Sequence, residues 1–204
     1  MECCCGVWIC LDGIEINPES LYPWGGDFFK GNYQKNVAVV LLNSTYIPSM
    51  EVALYGKLKT ENIGIEKIIA NVISNPFIRF LVLCGNDIRG HRSGKSLVCL
   101  HRNGIDENNR IIGAPGAIPY IENIDNEAIM RFQQQVEIID LIDVDDEKII
   151  STSIKDTLEK ETVVFGAPFI AIRLVREASK SVDDTRALHS RITLSYLGKV
   201  SKRG

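Results

Sequence analysis

Two apolar runs, at residues 36–42 and 77–84, constrain the fold more than any other feature of the sequence. Apolar residues without alternation are typical of a strand that is covered on both faces, as in a parallel sheet. Between the two runs, an apolar stripe with helical spacing predicts an amphipathic helix. This stripe consists of Ile65, Ile68, Ile69, Val72 and Ile73. The order strand, helix, strand therefore predicts a βαβ unit and a parallel sheet.

The rest of the chain continues this alternation. Four helices are predicted. The first begins after Thr60 as an N-cap and ends at 75–76, and the second begins at residue 94 and ends at 103–104. The third begins at Asp125, and the fourth begins at residues 145–146 and ends at about 158. The further predicted strands are 110–113, a stretch within 136–143 whose start stays open, and an edge strand at 165–175. Residues 176–204 are predicted to be weakly helical. The fold class is therefore α/β, a Rossmann-like, open and mostly parallel sheet with helices on both faces.

The length of 204 residues suits one domain with appendages. We expect an irregular N-terminal lead-in at 1–35, an α/β domain at 36–172 and a basic C-terminal extension at 173–204. The formal net charge of −3 gives no argument for binding nucleic acid or an anionic membrane.

Two further features concern the cellular compartment. Cys3, Cys4 and Cys5 are adjacent, which is poor geometry for a disulfide framework. Cys84 and Cys99 are predicted to be buried free thiols, which suits a reducing compartment. The sequence has no secretory signal, and no run reaches the ~18 apolar residues that a membrane span needs. We therefore expect a cytoplasmic protein with no transmembrane segment in this chain.

Three loops are expected to meet at the carboxyl edge of the sheet, where open α/β sheets bind their ligands. They are residues 59–62, 85–94 and 113–119. Paired glycines in the second and third loops let the backbone approach a ligand closely. The three loops are therefore expected to line one crevice.

The second loop is similar to a phosphate-binding loop without matching it. The motif G-x-x-x-x-G-K-[ST] needs four residues between its glycines, because they form the arc of N–H groups around the phosphates. Gly94, Lys95 and Ser96 fit the end of the motif, but Gly90 is one residue too close, and Arg89 stands where the first glycine is required. Phosphate or nucleotide binding is therefore the less favoured alternative.

The same loop contains His91, flanked by glycines. From the residues alone three interpretations stay open: a structural or solvated side chain, a general base, or a metal ligand. No second set of ligand residues stands at zinc spacing. A metal that brings its own equatorial ligands, such as the metal of a haem or a corrinoid, needs only one protein histidine.

Several long motifs occur in the order of a known family. They are 59–76 (KTENIGIEKIIANVISNP), 78–80 (IRF), 84–85 (CG), 90–94 (GHRSG), 113–124 (GAPGAIPYIENI) and 131–137 (RFQQQVE). Over about residues 20–172 the chain resembles the A subunit of tetrahydromethanopterin S-methyltransferase.

The resemblance implies a corrinoid-binding methyl carrier that works with other methyltransferase subunits. In that family, cobalt takes a methyl group from methyl-tetrahydromethanopterin and passes it to coenzyme M, and the histidine of the G-H-x-x-G loop is the protein ligand of cobalt. Carried over, His91 is the catalytic residue and the metal ligand. The candidate cofactor-binding residues beside His91 are Thr60, Glu61, Asn62, Gly85, Gly90, Gly94, Ser96, Gly113, Ala114, Gly116, Ala117, Ile118 and Pro119.

The chain departs from related patterns, and two departures bear on its function. Other cobalamin proteins use D-x-H-x-x-G, but here Arg89 stands two residues before His91 and Asp87 four before it. Family members end in a transmembrane helix, whereas residues 196–204 contain no apolar span, which indicates a soluble paralogue or a shortened chain. Arg92 and Lys95 are candidates for contact with the phosphate of a corrinoid tail. Storage or delivery of a corrinoid without methyl transfer is the alternative function.

Overall fold

The computed structural model describes residues 9–11, 14–171, 192–194 and 200–202. The chain divides into two units, Met1–Leu174 and Val175–Gly204. The strands of the first unit are β1 (Ile9–Leu11), β2 (Ile14–Ile16), β3 (Phe28–Lys30), β4 (Val37–Leu41), β5 (Leu54–Lys57), β6 (Phe80–Gly85) and β7 (Glu137–Ile142). Its α-helices are α1 (Ile63–Ser74), α2 (Ser93–Asn103), α3 (Asn126–Gln135) and α4 (Glu147–Leu158). In the second unit, β8 (Ile192–Leu194) and β9 (Val200–Lys202) form an antiparallel pair.

The central sheet confirms the predicted fold class. Its strand order is β3-β5-β4-β6-β7. Strands β5, β4, β6 and β7 are parallel to one another. The edge strand β3 pairs antiparallel with β5. Strands β1 and β2 form a separate antiparallel pair. Among the described residues, no helix combines the length and the apolar character that crossing a membrane requires.

Helices cover both faces of the sheet because the central strands are apolar on both sides. Side chains alternate between the faces of a strand. Accordingly, Val37 and Val39 of β4 join a cluster with Ile150 and Ile154 of α4. Ala38 and Val40 belong to the opposite cluster, which contains the buried residues of α1, α2 and α3. The predicted apolar stripe of α1 is part of this second cluster.

The start of α1 differs from the prediction. Its N-cap is Asn62, whose side chain accepts a hydrogen bond from the Ile63 N–H at 2.8 Å. Thr60, the predicted cap, accepts a hydrogen bond from the Gly64 N–H at 2.9 Å instead. Both side chains serve the same helix terminus, and the residue next to the first turn takes the cap position.

The other helix signals agree with the structure. The side chains of Asp125 and Asp146 cap α3 and α4. Gly104 ends α2 with a positive φ of 72°, as is typical of a C-terminal glycine. The boundary that stayed open within 136–143 falls at Val136, where the backbone becomes extended between α3 and β7.

Four predictions of local structure are wrong. Residues 110–113 form isolated bridges, not a strand of the sheet. The edge strand predicted at 165–175 is absent from its described part, residues 165–171, which are irregular. There the guanidinium of Arg131, and not a neighbouring strand, binds the carbonyl oxygens of Phe165 and Ala167. Residues 172–175 lie outside the described residues. The described part of 176–204 is β8 and β9, which are strands. The lead-in at 1–35 contains β1, β2 and β3 and is not wholly irregular.

Candidate functional site

One side chain, Glu61, connects the three loops that were predicted to meet at the carboxyl edge. Glu61 precedes α1, His91 lies between β6 and α2, and Ile118 lies between α2 and α3. Glu61 Oε2 lies 2.9 Å from His91 Nδ1. Glu61 Oε1 accepts a hydrogen bond from the Ile118 N–H at 3.0 Å. The topology of the sheet therefore brings together residues that are far apart in sequence.

Glu61 and His91 differ strongly in exposure. The Glu61 side chain is 4% exposed, whereas the His91 side chain is 60% exposed. A buried carboxylate thus holds one nitrogen of an imidazole whose surface is largely accessible. This arrangement fixes the ring without covering it.

The contacts of Glu61 keep its carboxyl ionised. Burial raises the pKa of the Glu61 carboxyl, but hydrogen bonds from its own backbone, from the Ile118 N–H and from His91 outweigh burial and leave the pKa below its ordinary value of 4.5. At neutral pH Glu61 is therefore ionised and only accepts hydrogen bonds. Because Glu61 only accepts, His91 Nδ1 is the donor in this contact, and Nε2 is the ring nitrogen left to bind a metal.

Gly116 packs the third loop against the His91 loop. A Cβ atom at this position would lie 2.6 Å from the backbone oxygen of His91 and 2.9 Å from Ser96 Oγ. A side-chain carbon does not approach a backbone oxygen that closely, so any other residue forces the two loops apart. The close contact therefore requires glycine at this position.

We expect Gly116→Ala to destabilise the protein by ~1–3 kcal/mol, the range typical of overpacked sites. The matched control is Gly25→Ala, because a Cβ atom at Gly25 meets nothing within 4 Å. Denaturant unfolding of the full chain measures both changes. Equal free energies of unfolding for the two variants would contradict the close contact.

Ser96 contributes an unpaired hydroxyl to the same region. The residue is fully buried, and among the described residues its Oγ is the single buried side-chain oxygen or nitrogen without a hydrogen-bond partner. Burying a hydroxyl without a partner costs free energy. Ser96 Oγ packs against Gly116 and is closed to solvent, so a ligand group could bond to it only if the third loop moved away.

The phosphate-loop alternative finds no support in the geometry. The N-terminus of α2, where such a loop would hold phosphate, is occupied by the carboxylate of Asp87, which accepts hydrogen bonds from the N–H groups of Gly94 and Lys95 at 3.2 and 3.0 Å. The Lys95 ammonium pairs with Asp143 at 3.3 Å. A phosphate would have to displace one carboxylate and compete with another.

The remaining candidates of the first two loops have local structural partners. Thr60 and Asn62 use their side-chain oxygens at the N-terminus of α1. Gly85 and Gly90 have positive φ values of 93° and 94°. Gly94 is buried in the first turn of α2.

The third loop alternates between exposed and buried positions. Gly113, Ala117 and Ile118 are exposed, and Ile118 is 58% exposed. Ala114 and Pro119 are buried. Ile118 lies next to the Glu61–His91 pair because its N–H binds Glu61, whereas Gly113 contacts Cys99 and Asn103 in the second half of α2. The buried members anchor the loop.

Glu66 holds the segment that follows the third loop and was not among the predicted residues. It is 1% exposed, and its Oε1 accepts hydrogen bonds from the N–H groups of Glu122 and Asn123 at 2.6 and 2.9 Å. Its Oε2 accepts a third from Asn123 Nδ2 at 2.7 Å. The sequence signal was an acidic residue beside the apolar stripe of α1, which by itself does not distinguish a buried anchor from a solvated side chain.

His101 has a structural role. Its Nε2 lies 2.6 Å from the backbone oxygen of Val136, and its ring packs edge-on against Phe132 at 5.4 Å between centroids. His189 lies outside the described residues. Within the described ranges, no group of three or more His, Cys, Asp or Glu side chains is arranged to hold a metal ion.

Comparison with known proteins gives consistent matches. The sequence model of the tetrahydromethanopterin S-methyltransferase A subunit matches residues 17–182. Over 154 residues the chain is 49% identical to the tetrahydromethanopterin S-methyltransferase A subunit 1 of Methanothermobacter thermautotrophicus, covering 73% of this chain and 64% of that protein. It is 44% identical over 156 residues to the A subunit 2 of Methanobrevibacter ruminantium, covering 74% and 81%.

A more distant relative agrees with these matches. The corresponding protein of Methanosarcina barkeri is 38% identical over 165 residues, covering 76% of this chain and 68% of that protein. The chain spans just under two thirds, 64%, of the length of the Methanothermobacter A subunit 1. The family match includes Glu61, His91 and Gly116, the three residues whose contacts form the site. The chain belongs to the family of tetrahydromethanopterin S-methyltransferase A subunits.

Proposed function

We propose that this chain carries a corrinoid and that His91 is the protein ligand of its cobalt. The observation that carries the proposal is the Glu61–His91 pair, in which a buried, ionised carboxylate lies 2.9 Å from Nδ1 of an exposed ring. Histidines that bind metals commonly donate their other ring N–H to a carboxylate, which fixes the ring and raises its basicity. The relatives' names, which describe methyltransferase subunits, support the same function.

The surroundings of His91 fit a flat, bulky macrocycle with polar edges. Ile88 and Ile118 belong to the second and third loops, which contain His91 and the Ile118 N–H that binds Glu61, and they are 48% and 58% exposed. Such apolar side chains suit the face of a macrocycle. Movement of the third loop away from Ser96 would let its unpaired Oγ bond to a polar edge group. Apolar walls with a few placed polar groups are typical of cofactor sites.

The residues of the chain bind and orient, whereas a bound corrinoid supplies the methyl-group chemistry. Glu61 fixes the tautomer and the orientation of His91. Gly116 holds the third loop against the backbone of His91. Gly90 has a φ of 94° and open space around it, so the His91 loop can change conformation at this residue.

We further propose methyl-tetrahydromethanopterin as the methyl donor and coenzyme M or a related thiol as the acceptor, with other methyltransferase subunits positioning both in the cytoplasm. The family match supports this reaction. Corrinoid storage or delivery is the second candidate. One observation favours it: Methanobrevibacter ruminantium has both an A subunit 1 and an A subunit 2, so one organism contains two related members.

Reconstitution distinguishes these functions. The full chain is incubated with cobalamin, separated from free cofactor and examined by visible spectroscopy and cobalt analysis. We expect equimolar cobalt and, with partner subunits present, methyl transfer to coenzyme M. Retained colour without methyl transfer would assign the chain to storage. A chain that retains no corrinoid would contradict both functions.

A further inference from the structure

A cleft of about 290 Å³ opens between α1 and the strands β3, β5 and β4. Its walls are mainly apolar and include Phe28, Ala38, Val40, Leu54, Ile68 and Leu81. Protein cores contain few gaps larger than a water molecule, which takes up roughly 30 Å³ in the liquid. The cleft is far larger and lies just below the roughly 300–1,000 Å³ of typical small-molecule sites. Its size therefore suits a small ligand.

Three lysines and one aspartate also line this cleft: Lys57, Lys59, Lys67 and Asp27. Lys59 pairs with Asp27. Within the described part of the chain, neither Lys57 nor Lys67 forms a salt bridge. The hydrogen bond and the charge of Lys59, and to a lesser extent the charge of Lys67, keep the pKa of Asp27 below its ordinary value, so Asp27 is ionised. Three cations against one anion leave the cleft with a positive charge.

From the apolar walls and the two unpaired lysines we infer that this cleft binds a small amphipathic organic anion. The ligand has a short apolar chain and a carboxylate, sulfonate or phosphate head. The apolar chain lies between α1 and the sheet, where it replaces water with carbon contacts. The head group lies beside Lys57 and Lys67, whose ammonium groups form no salt bridge among the described residues, because Asp27, the carboxylate of the same cleft, pairs with Lys59.

The cleft is distinct from the His91 site, although the two adjoin in sequence. Thr60 lines the cleft, and the next residue, Glu61, binds His91. Nothing in the inference requires a corrinoid, so the test uses the full chain without added cofactor. A negative result therefore leaves the proposed role of His91 unchanged.

A neighbouring cleft of about 670 Å³ shares Asp27, Lys57 and Lys59 with the first. Lys67 and Ile68 line the first cleft and not the second. Substitutions at these two positions therefore report on the proposed site alone.

Isothermal titration calorimetry of the 204-residue chain with hexanoate, hexanesulfonate and hexyl phosphate tests the inference. We expect saturable binding of one ligand per chain. Affinity should rise about fourfold per methylene from butane- to hexanesulfonate, the gain typical of burying one CH₂ group. Lys67→Gln should weaken binding about fivefold, which corresponds to ~1 kcal/mol.

The matched control is Lys155→Gln, which removes the same charge from an exposed position on α4, at the other face of the sheet, and should leave binding unchanged. Ile68→Phe should fill the cleft and abolish binding, with thermal unfolding used to verify that the variant is folded. The head group bound most tightly identifies the ligand class. The inference is overturned if no probe binds saturably, if Lys67→Gln and Lys155→Gln bind alike, or if inorganic sulfate binds as tightly as hexanesulfonate.

Discussion

Replacing His91 by alanine is expected to abolish methyl transfer while the protein stays folded. The His91 side chain is 60% exposed, so its removal sacrifices little packing, and the main cost to stability is the lost hydrogen bond to Glu61, about 1.5–3 kcal/mol for a bond to a charged group. The substitution deletes a direct metal ligand. Substituting a residue that only hydrogen-bonds to a metal ligand typically lowers activity or metal affinity by roughly 10–100-fold. We therefore expect a larger loss of activity for His91→Ala. Visible spectra of the reconstituted protein and methyl-transfer assays measure the effect.

Arg89→Ala is the control for this substitution. Arg89 is an exposed residue of the same loop, and it should tolerate alanine with unchanged spectra and activity. Thermal unfolding of both variants separates loss of fold from loss of ligand. Wild-type spectra and wild-type transfer in the His91→Ala protein would show that His91 does not bind cobalt.

Glu61→Gln should give the second-largest effect, a loss of corrinoid affinity of roughly 10–100-fold. Glutamine keeps the size of the side chain and an oxygen for the Ile118 N–H, but it removes the negative charge that holds the His91 Nδ1 proton. The control is Glu66→Gln, which changes another buried carboxylate; Glu66 anchors the segment after the third loop and does not contact His91. Glu66→Gln should lower the free energy of unfolding and leave affinity almost intact. Equal affinity losses would show that Glu61 acts only through the fold.

The pH dependence of stability has a sign that follows from Glu61. Its pKa in the folded protein lies below the ordinary value of 4.5, so its contribution to stability is present above about pH 4.5 and is lost as the pH falls through the folded pKa. We expect the wild type to lose stability in this window and Glu61→Gln to lose less. Urea unfolding at a series of pH values from neutral to acid compares the two proteins. If the free energy of unfolding fell equally in both proteins as the pH is lowered, the claim that Glu61 is ionised and stabilising in the folded protein would be contradicted.

The central strands were predictable because burial on both faces leaves a local signature. The apolar runs that became β4 and β6 identified the parallel sheet. Strands β5 and β3 have four and three residues, which is too short for an alternation to stand out. Residues 110–113 have the composition of a strand, but a strand also needs a partner, and the chain places these residues outside the sheet.

The candidate site was predictable in its members but not in its contacts. Local motifs placed Glu61, His91 and Gly116 in three loops at one edge. The Glu61–His91 contact spans 30 residues and depends on the strand order, which no local pattern contains. Likewise, Asp87 was recognised only as standing at the wrong distance from His91 in sequence. Its actual role, capping α2, depends on the turn through Arg92, which has a left-handed backbone conformation.

Electron paramagnetic resonance of the cobalt(II) form of the reconstituted protein, prepared with nitrogen-15 histidine, tests the ligation by His91 most directly. An axial nitrogen splits the cobalt lines, and the splitting pattern depends on the nitrogen isotope. If His91 binds cobalt, labelling the histidines changes the splitting, and His91→Ala removes that change. A splitting that is identical in labelled and unlabelled protein would contradict ligation by His91, because the axial nitrogen would then belong to the corrinoid itself.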